Sequence, residues 1–240
     1  MNKQILTFLG RGGAFNASEG NNSAYILEDN ILFLIDCGED VFGKLIRGNI
    51  LKDVNEINVY ITHLHSDHYG SLSSLLYYAK YVSKTPINVY TGSKNLLKAL
   101  QFSGNNETDY TLHIMNDRET VTLSNTLSFT QIPISHTTEL IAKGLILQYK
   151  DYTIYYSGDC NEVIYEALYA INSNPKTQYY QDTTLYDGAP HLNINKLIDA
   201  TSPEQRKNIY CMHLEGEDII PYAYANGLNV VSVDNSFQYR

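Results

Sequence analysis

The sequence predicts an α/β chain in which sheets are covered by helices on their outer faces. Short apolar runs recur along the 240 residues, and their β-branched and aromatic content suits strands better than helices. Helical patterns fall between several of these runs, so that strands and helices alternate over much of the chain. In chain order, residues 5–9, 24–27 and 31–35 read as strands, the last two joined by the turn Glu28-Asp29-Asn30. A helix over 41–47, a strand over 57–61, a helix over 71–82, a strand over 87–90 and a helix over 93–102 follow. Residues 127–132, 145–149 and 153–156 read as strands, 162–171 and 194–201 as helices, and 209–212 and 229–233 as strands. Two stretches, 103–109 and 173–189, read as loops. The second is long and rich in Tyr, Asn, Gln, Thr and Asp, the character of a lid or binding loop.

Composition narrows the classes. A hydrophobic content of 43% with 18% charged residues is that of a globular chain, and residues 1–240 are expected to form a single domain. No apolar stretch is long enough for a membrane span, and Met1-Asn2-Lys3-Gln4 leads straight into a strand without a signal peptide's apolar core. Cys37, Cys160 and Cys211 are odd in number and lack CxxC spacing, so free, buried thiols in a reducing compartment are expected. A cytoplasmic location is therefore expected. The net charge of −9 argues against gripping long nucleic acid. A small phosphorylated substrate stays open, because bound divalent cations reverse the sign locally.

The most informative run is Thr62-His63-Leu64-His65-Ser66-Asp67-His68-Tyr69-Gly70, which follows a strand directly. Imidazole and carboxylate hold borderline divalent ions such as zinc. His63 and His65 point the same way in an extended segment, and Asp67 and His68 approach from where the chain turns into a helix. His136, Asp159 and His213 each sit just past a strand end, where α/β proteins gather functional groups. Seven such ligands exceed one tetrahedral zinc site and suit two ions sharing a bridging carboxylate.

The order HxHxDH, His, Asp, His resembles the metallo-β-lactamase fold superfamily. Phe8-Leu9-Gly10-Arg11-Gly12-Gly13-Ala14-Phe15-Asn16, Gly20-Asn21-Asn22-Ser23 and Ile35-Asp36-Cys37-Gly38 resemble its ribonuclease Z-like branch. The resemblance implies an αββα four-layer sandwich with two Zn2+ per protomer, or Mn2+. By it, His63, His65 and His136 hold one ion, Asp67, His68 and His213 the other, and Asp159 bridges. Asp36 is implied to hydrogen-bond a ligand histidine and fix its tautomer. In the same branch a histidine between the bridging aspartate and the last ligand serves the phosphodiester leaving group, and His191 lies in that interval.

Hydrolysis is the implied chemistry, with Asp67 orienting the attacking water. The interval from His136 to Asp159 is too short for the substrate arm of ribonuclease Z. A small phosphodiester then remains, and Tyr179, Tyr180 and Tyr186 in the expected lid could stack a nucleobase. The size, the motif order and the missing arm are similar to compact viral phosphodiesterases directed against cyclic-nucleotide (Pycsar) defence. That similarity implies a homodimer that hydrolyses 3′,5′-cyclic mononucleotides (cyclic CMP, UMP, AMP and GMP) to nucleoside 5′-monophosphates. Two other readings stay open: a hydrolase of transfer RNA 3′ ends, lactones or esters, and a non-catalytic module that sequesters a nucleotide.

Overall fold

The computed structural model describes residues 3–188 and 190–234, so Met1, Asn2 and Ala189, the last residue of the expected loop, lie outside the description. The chain divides into two compact units, one comprising Ile5–Met115 with Ser232–Arg240, the other Asn116–Val231 with Met1–Gln4.

The first unit is a six-stranded sheet of β1 (Thr7–Gly10), β2 (Ser23–Glu28), β3 (Ile31–Ile35), β4 (Glu56–Ile61), β5 (Ile87–Thr91) and β6 (Thr111–Ile114), paired in that order. β2 and β3 form a hairpin whose turn residues Asp29 and Asn30 both have positive φ, the conformation that matches the twist of the flanking strands. From β3 to β6 the strands are parallel. Parallel neighbours need crossovers, supplied here by α1 (Val41–Arg47), α2 (Ser66–Tyr69), α3 (Leu72–Tyr78) and α4 (Asn95–Phe102). Leu72, Leu75 and Leu76 recur at helical spacing and pack with Val41, Leu45, Val59 and Val89 in one apolar core. The helix expected over 71–82 forms but widens into a π-turn over Ala79–Ser83, closed by Lys84 in the left-handed region. Parallel direction brings the C-terminal ends of β3 and β4 to one edge. Asp36 and the histidine run stand there.

The second unit is a seven-stranded sheet of β7 (Thr120–Thr122), β8 (Leu127–Pro133), β9 (Lys143–Tyr149), β10 (Tyr152–Tyr156), β11 (Thr177–Asp182), β12 (Ile209–Met212) and β13 (Asn229–Val230), paired from β7 to β13 in sequence. It is antiparallel up to β10 and parallel beyond. Its helices are α5 (Tyr165–Ser173), α6 (Ile194–Ala200), α7 (Pro203–Arg206) and α8 (Ile219–Ala225). α7 starts at a reciprocal cap between Ser202 and Gln205, with a proline just inside. Leu168, Ile171, Leu197 and Ile219 from the helices pack on Tyr179, Ile209 and Cys211 of the strands.

The loop expected over 173–189 is corrected here. Residues 177–182 are β11, an interior parallel strand buried along its whole length. β6 and β7 also emerge from stretches without an apolar run. His113 is half-buried in β6, its ring stacked 4.5 Å from that of Tyr90. No helix among the described residues is long and apolar enough to cross a membrane.

All three cysteines are free and fully buried, and burial pushes each thiol up to about 12. A thiol-specific colorimetric reagent at neutral pH should therefore label none in the folded protein and all of them after denaturation. Rapid labelling of the native chain would contradict their placement.

Candidate metal centre

In the first unit the ligand run is assembled around Asp36. Asp36 is fully buried at the end of β3 with φ of 63°, a left-handed conformation costly for a non-glycine residue. Its Oδ1 accepts from the Thr62 amide at 2.8 Å and from Thr62 Oγ1 at 3.0 Å. Its Oδ2 accepts from His68 Nδ1 at 2.8 Å. The single Thr62 hydroxyl proton is committed to Asp36, so at 3.1 Å the oxygen accepts from His63 Nδ1. One carboxylate thus fixes two histidine tautomers, His68 directly and His63 through Thr62. Both keep Nε2 as the lone-pair nitrogen. Burial pushes the Asp36 carboxyl upward, opposed by His68 and the hydrogen bonds.

The remaining donors converge on those nitrogens. His63 Nε2 is 2.9 Å from His65 Nδ1, and the His63 and His68 rings lie 4.1 Å apart. α2 is a single turn that follows directly on His65 and places Asp67 and His68 side by side, both buried. His68 Nε2 stands 3.2 Å from Asp67 Oδ2. With the Nδ1 proton given to Asp36, two electron-rich atoms face each other there. A divalent cation is the group such a donor set of imidazole and carboxylate accommodates. The residues fit a metal.

The second unit carries a matching arrangement. His136, past β8, points its Nδ1 at the Pro190 carbonyl at 3.0 Å and its Nε2 at Asp159 Oδ2, 3.8 Å away. Burial pulls the His136 pKa down, which favours the neutral, ligating imidazole. Asp159 follows β10 through Gly158 in the left-handed region. His213 is the first residue past β12, with φ of 55°, and its Nε2 is 3.4 Å from Asp159 Oδ2. His213 is therefore strained at a strand end as Asp36 is.

Sequence reasoning missed Asp182, the last residue of β11. It is fully buried, accepts from the Cys160 amide at 3.0 Å, and binds His191 Nδ1 at 2.6 Å. Its other oxygen lies 3.6 Å from His213 Nδ1. Asp182 thus does for His191 what Asp36 does for His68, holding the ring through a hydrogen bond at Nδ1. The ligand atoms of Asp159, Asp182, His191 and His213 lie within 4.8 Å of one another, a cluster that could hold an ion. Although burial pulls the His191 pKa down, the hydrogen bond and charge of Asp182 outweigh it and the net direction is up. Glu215, also unforeseen, stands 3.9 Å from His191 Nε2. The signal that could have exposed Asp182 is its place at the end of an alternating Thr/Gln/Tyr run, a strand pattern masked by polarity.

The expected base-stacking tyrosines fare differently. Tyr179 and Tyr180 are interior β11 residues with no exposed surface, committed to Gln181 and Gln178 respectively, so neither can stack a base. Tyr186 is 68% exposed on the loop after β11.

Comparison with known proteins follows the same lines. A protein-family model described as Anti-Pycsar protein Apyc1 matches residues 4–229. Anti-Pycsar protein Apyc1 of a Paenibacillus species is 32% identical over 166 residues, 68% of this chain and 65% of that relative, so the match spans just under two thirds of its length. The protein of the same name from Bacillus phage vB_BveM-Goe7 is 27% identical over 232 residues, 87% of this chain and 88% of the relative. Among solved structures, the metallo-beta-lactamase fold protein YhfI from Bacillus subtilis superposes with a TM-score of 0.73 at 16% identity, covering 97% of this chain and 96% of that one. The fold is the metallo-β-lactamase type that HxHxDH implied. With the family model matched along nearly its whole length, the chain belongs to the Apyc1 family of anti-Pycsar proteins.

Proposed function

We propose that this chain is a metal-dependent phosphodiesterase that hydrolyses 3′,5′-cyclic mononucleotides to nucleoside 5′-monophosphates, and so counters Pycsar signalling. The observation that carries the reading is a repeated brace: each unit spends a fully buried aspartate at a strand end, Asp36 or Asp182, on a hydrogen bond that orients a histidine, His68 or His191. Such partners raise ligand basicity and hold ring orientation, a design suited to ions. In this reading His63, His65 and His136 would hold one divalent cation and Asp67, His68 and His213 the other, with Asp159 supplying a further carboxylate. Imidazole-rich donors favour zinc, with manganese the alternative. Two such cations, when bound, would supply Lewis acidity at the phosphate and lower the pKa of water towards about 7.

The chain's own residues do the rest. Asp67 orients the attacking water towards phosphorus. His191, its ring locked through Nδ1 by Asp182, gives a proton from Nε2 to the departing 3′-oxygen as the P–O3′ bond breaks. His191→Ala is accordingly expected to lower kcat by about 10²-fold while bound metal stays constant. Loss of metal in that variant would make His191 a ligand instead.

The decisive experiment incubates metal-analysed protein with cyclic CMP, UMP, AMP and GMP, precursor transfer RNA and a lactone. The expected products are nucleoside 5′-monophosphates from about two divalent ions per chain. Cleavage of only the RNA or the lactone, full activity in metal-free protein, or recovery of intact nucleotide after long incubation would each reject the reading.

A further inference from the structure

Phe15 is the most exposed large apolar side chain among the described residues, with 102% of its reference area in solvent. It sits in the connection between β1 and β2, and that connection is not loosely held. Its two ends are joined by Gly12 N–H to the Gly20 carbonyl at 2.8 Å and by Asn22 N–H to the Gly12 carbonyl at 3.1 Å. Across the same base Arg11 and Glu19 form a two-pronged ion pair, at 2.7 and 3.1 Å. Towards the tip, Asn16 N–H binds the Gly13 carbonyl at 3.0 Å and Glu19 N–H binds the Asn16 carbonyl at 3.2 Å, flanking Phe15 with turns. A Cβ on Gly12 would come within 2.5 Å of the Asn16 carbonyl oxygen, so the loop closes tightly enough to require glycine there.

The loop also has a defined position. β1 is antiparallel to β2 and β2 to β3, so β1 runs with β3 and opens on the edge that carries Asp36 and the histidine run. Ser23, where the loop ends, hydrogen-bonds through Oγ to the Asp36 carbonyl at 2.8 Å. Asn21 exchanges hydrogen bonds with Asp40, at 3.1 and 3.3 Å. An aromatic carried in water by a braced loop, on the edge that also bears the histidine run, exposes apolar surface that nothing in the first unit covers. It also gives up little entropy when a flat partner lands on it.

The geometry points to Phe15, at the tip of the braced β1–β2 loop on the ligand-bearing edge of the first sheet, as a stacking platform for the nucleobase of the substrate. This rests on the cyclic-nucleotide reading above, and it replaces the buried Tyr179 and Tyr180 as aromatic contact. Stacking is tolerant of base identity because every base has a π-face.

The test compares wild type, Phe15→Ala and Phe15→Trp with cyclic CMP, cyclic AMP and the base-free 1-deoxyribose 3′,5′-cyclic phosphate. Affinity for CMP and AMP is measured in parallel by calorimetry, which needs no turnover. Phe15→Ala is expected to raise KM for both nucleotides, and Kd for both products, by about fivefold to a hundredfold. Phe15→Trp restores both values, and the loss on the base-free ring is at least several-fold smaller. Unchanged KM and Kd in Phe15→Ala, or an equal loss on the base-free ring, overturns the platform. If wild type turns over no cyclic nucleotide, the proposed reaction fails. The Kd ratio for CMP and AMP then still decides Phe15.

Discussion

Asp159→Asn should cut turnover of cyclic CMP and cyclic AMP by on the order of 10³-fold or more, a loss at the upper end for a single electrostatic group. The substitution preserves shape and removes a charge. Asp159 is 2% exposed, with Oδ2 at 3.4 Å from His213 Nε2 and 3.8 Å from His136 Nε2, so its carboxylate is the negative centre of the second unit's cluster. If the centre binds two divalent ions as proposed, their mutual repulsion would need a nearby anion to offset it, and a neutral amide cannot do so. Elemental analysis of the variant should therefore show reduced metal alongside lost activity, with far-UV circular dichroism unchanged. A variant that keeps both metal and turnover would remove Asp159 from the centre. His65→Ala should behave in the same direction for a different reason: it removes one neutral donor that lies 2.9 Å from His63 Nε2.

Much of this arrangement is visible in the chain itself, and the reasons for the gaps are physical. Strands of β-branched and apolar residues, such as Ile31–Ile35 and Ile209–Met212, declare themselves because they are buried on both faces of parallel sheets. The ligands at their ends inherit that legibility, and HxHxDH is dense enough to stand alone. β11 is buried just as deeply but built of Thr, Gln, Tyr and Asp, with side chains satisfied by one another, as in Tyr180 to Gln178 at 2.6 Å. Hydrophobic periodicity does not register a strand whose polar groups are internally paired. Asp182 was hidden with it, and so was half of the histidine bracing. Asp36 was readable because its strand, Ile31–Ile35, is wholly apolar. Each aspartate holds one histidine through Nδ1, His68 or His191, but in opposite sequence contexts, and that difference separates the residue that was anticipated from the one that was not.

Gly38→Ala should strip the first unit of its ligand geometry without touching a ligand. A Cβ at position 38 would lie 2.0 Å from the Asp67 carbonyl oxygen, 2.7 Å from the Asp67 carbonyl carbon and 2.8 Å from Asn21 Cβ. Two of those atoms are backbone and cannot rotate away. The segments that must separate are also laced together: Cys37 N–H donates to the His68 carbonyl at 2.7 Å, and Ser71 N–H to the Cys37 carbonyl at 3.1 Å. Relief therefore moves the one-turn helix that carries Asp67 and His68 away from Asp36, lengthening the 2.8 Å bond that sets the His68 tautomer. Overpacking of this kind costs about 1–3 kcal/mol, and more where backbone has to shift. The expected variant is folded but less stable by at least that amount in urea, and it binds metal at least tenfold more weakly because a bracing interaction is lost. Gly38→Ala with wild-type stability and metal affinity would mean that β3 and the histidine run are not packed as closely as a glycine at this position requires.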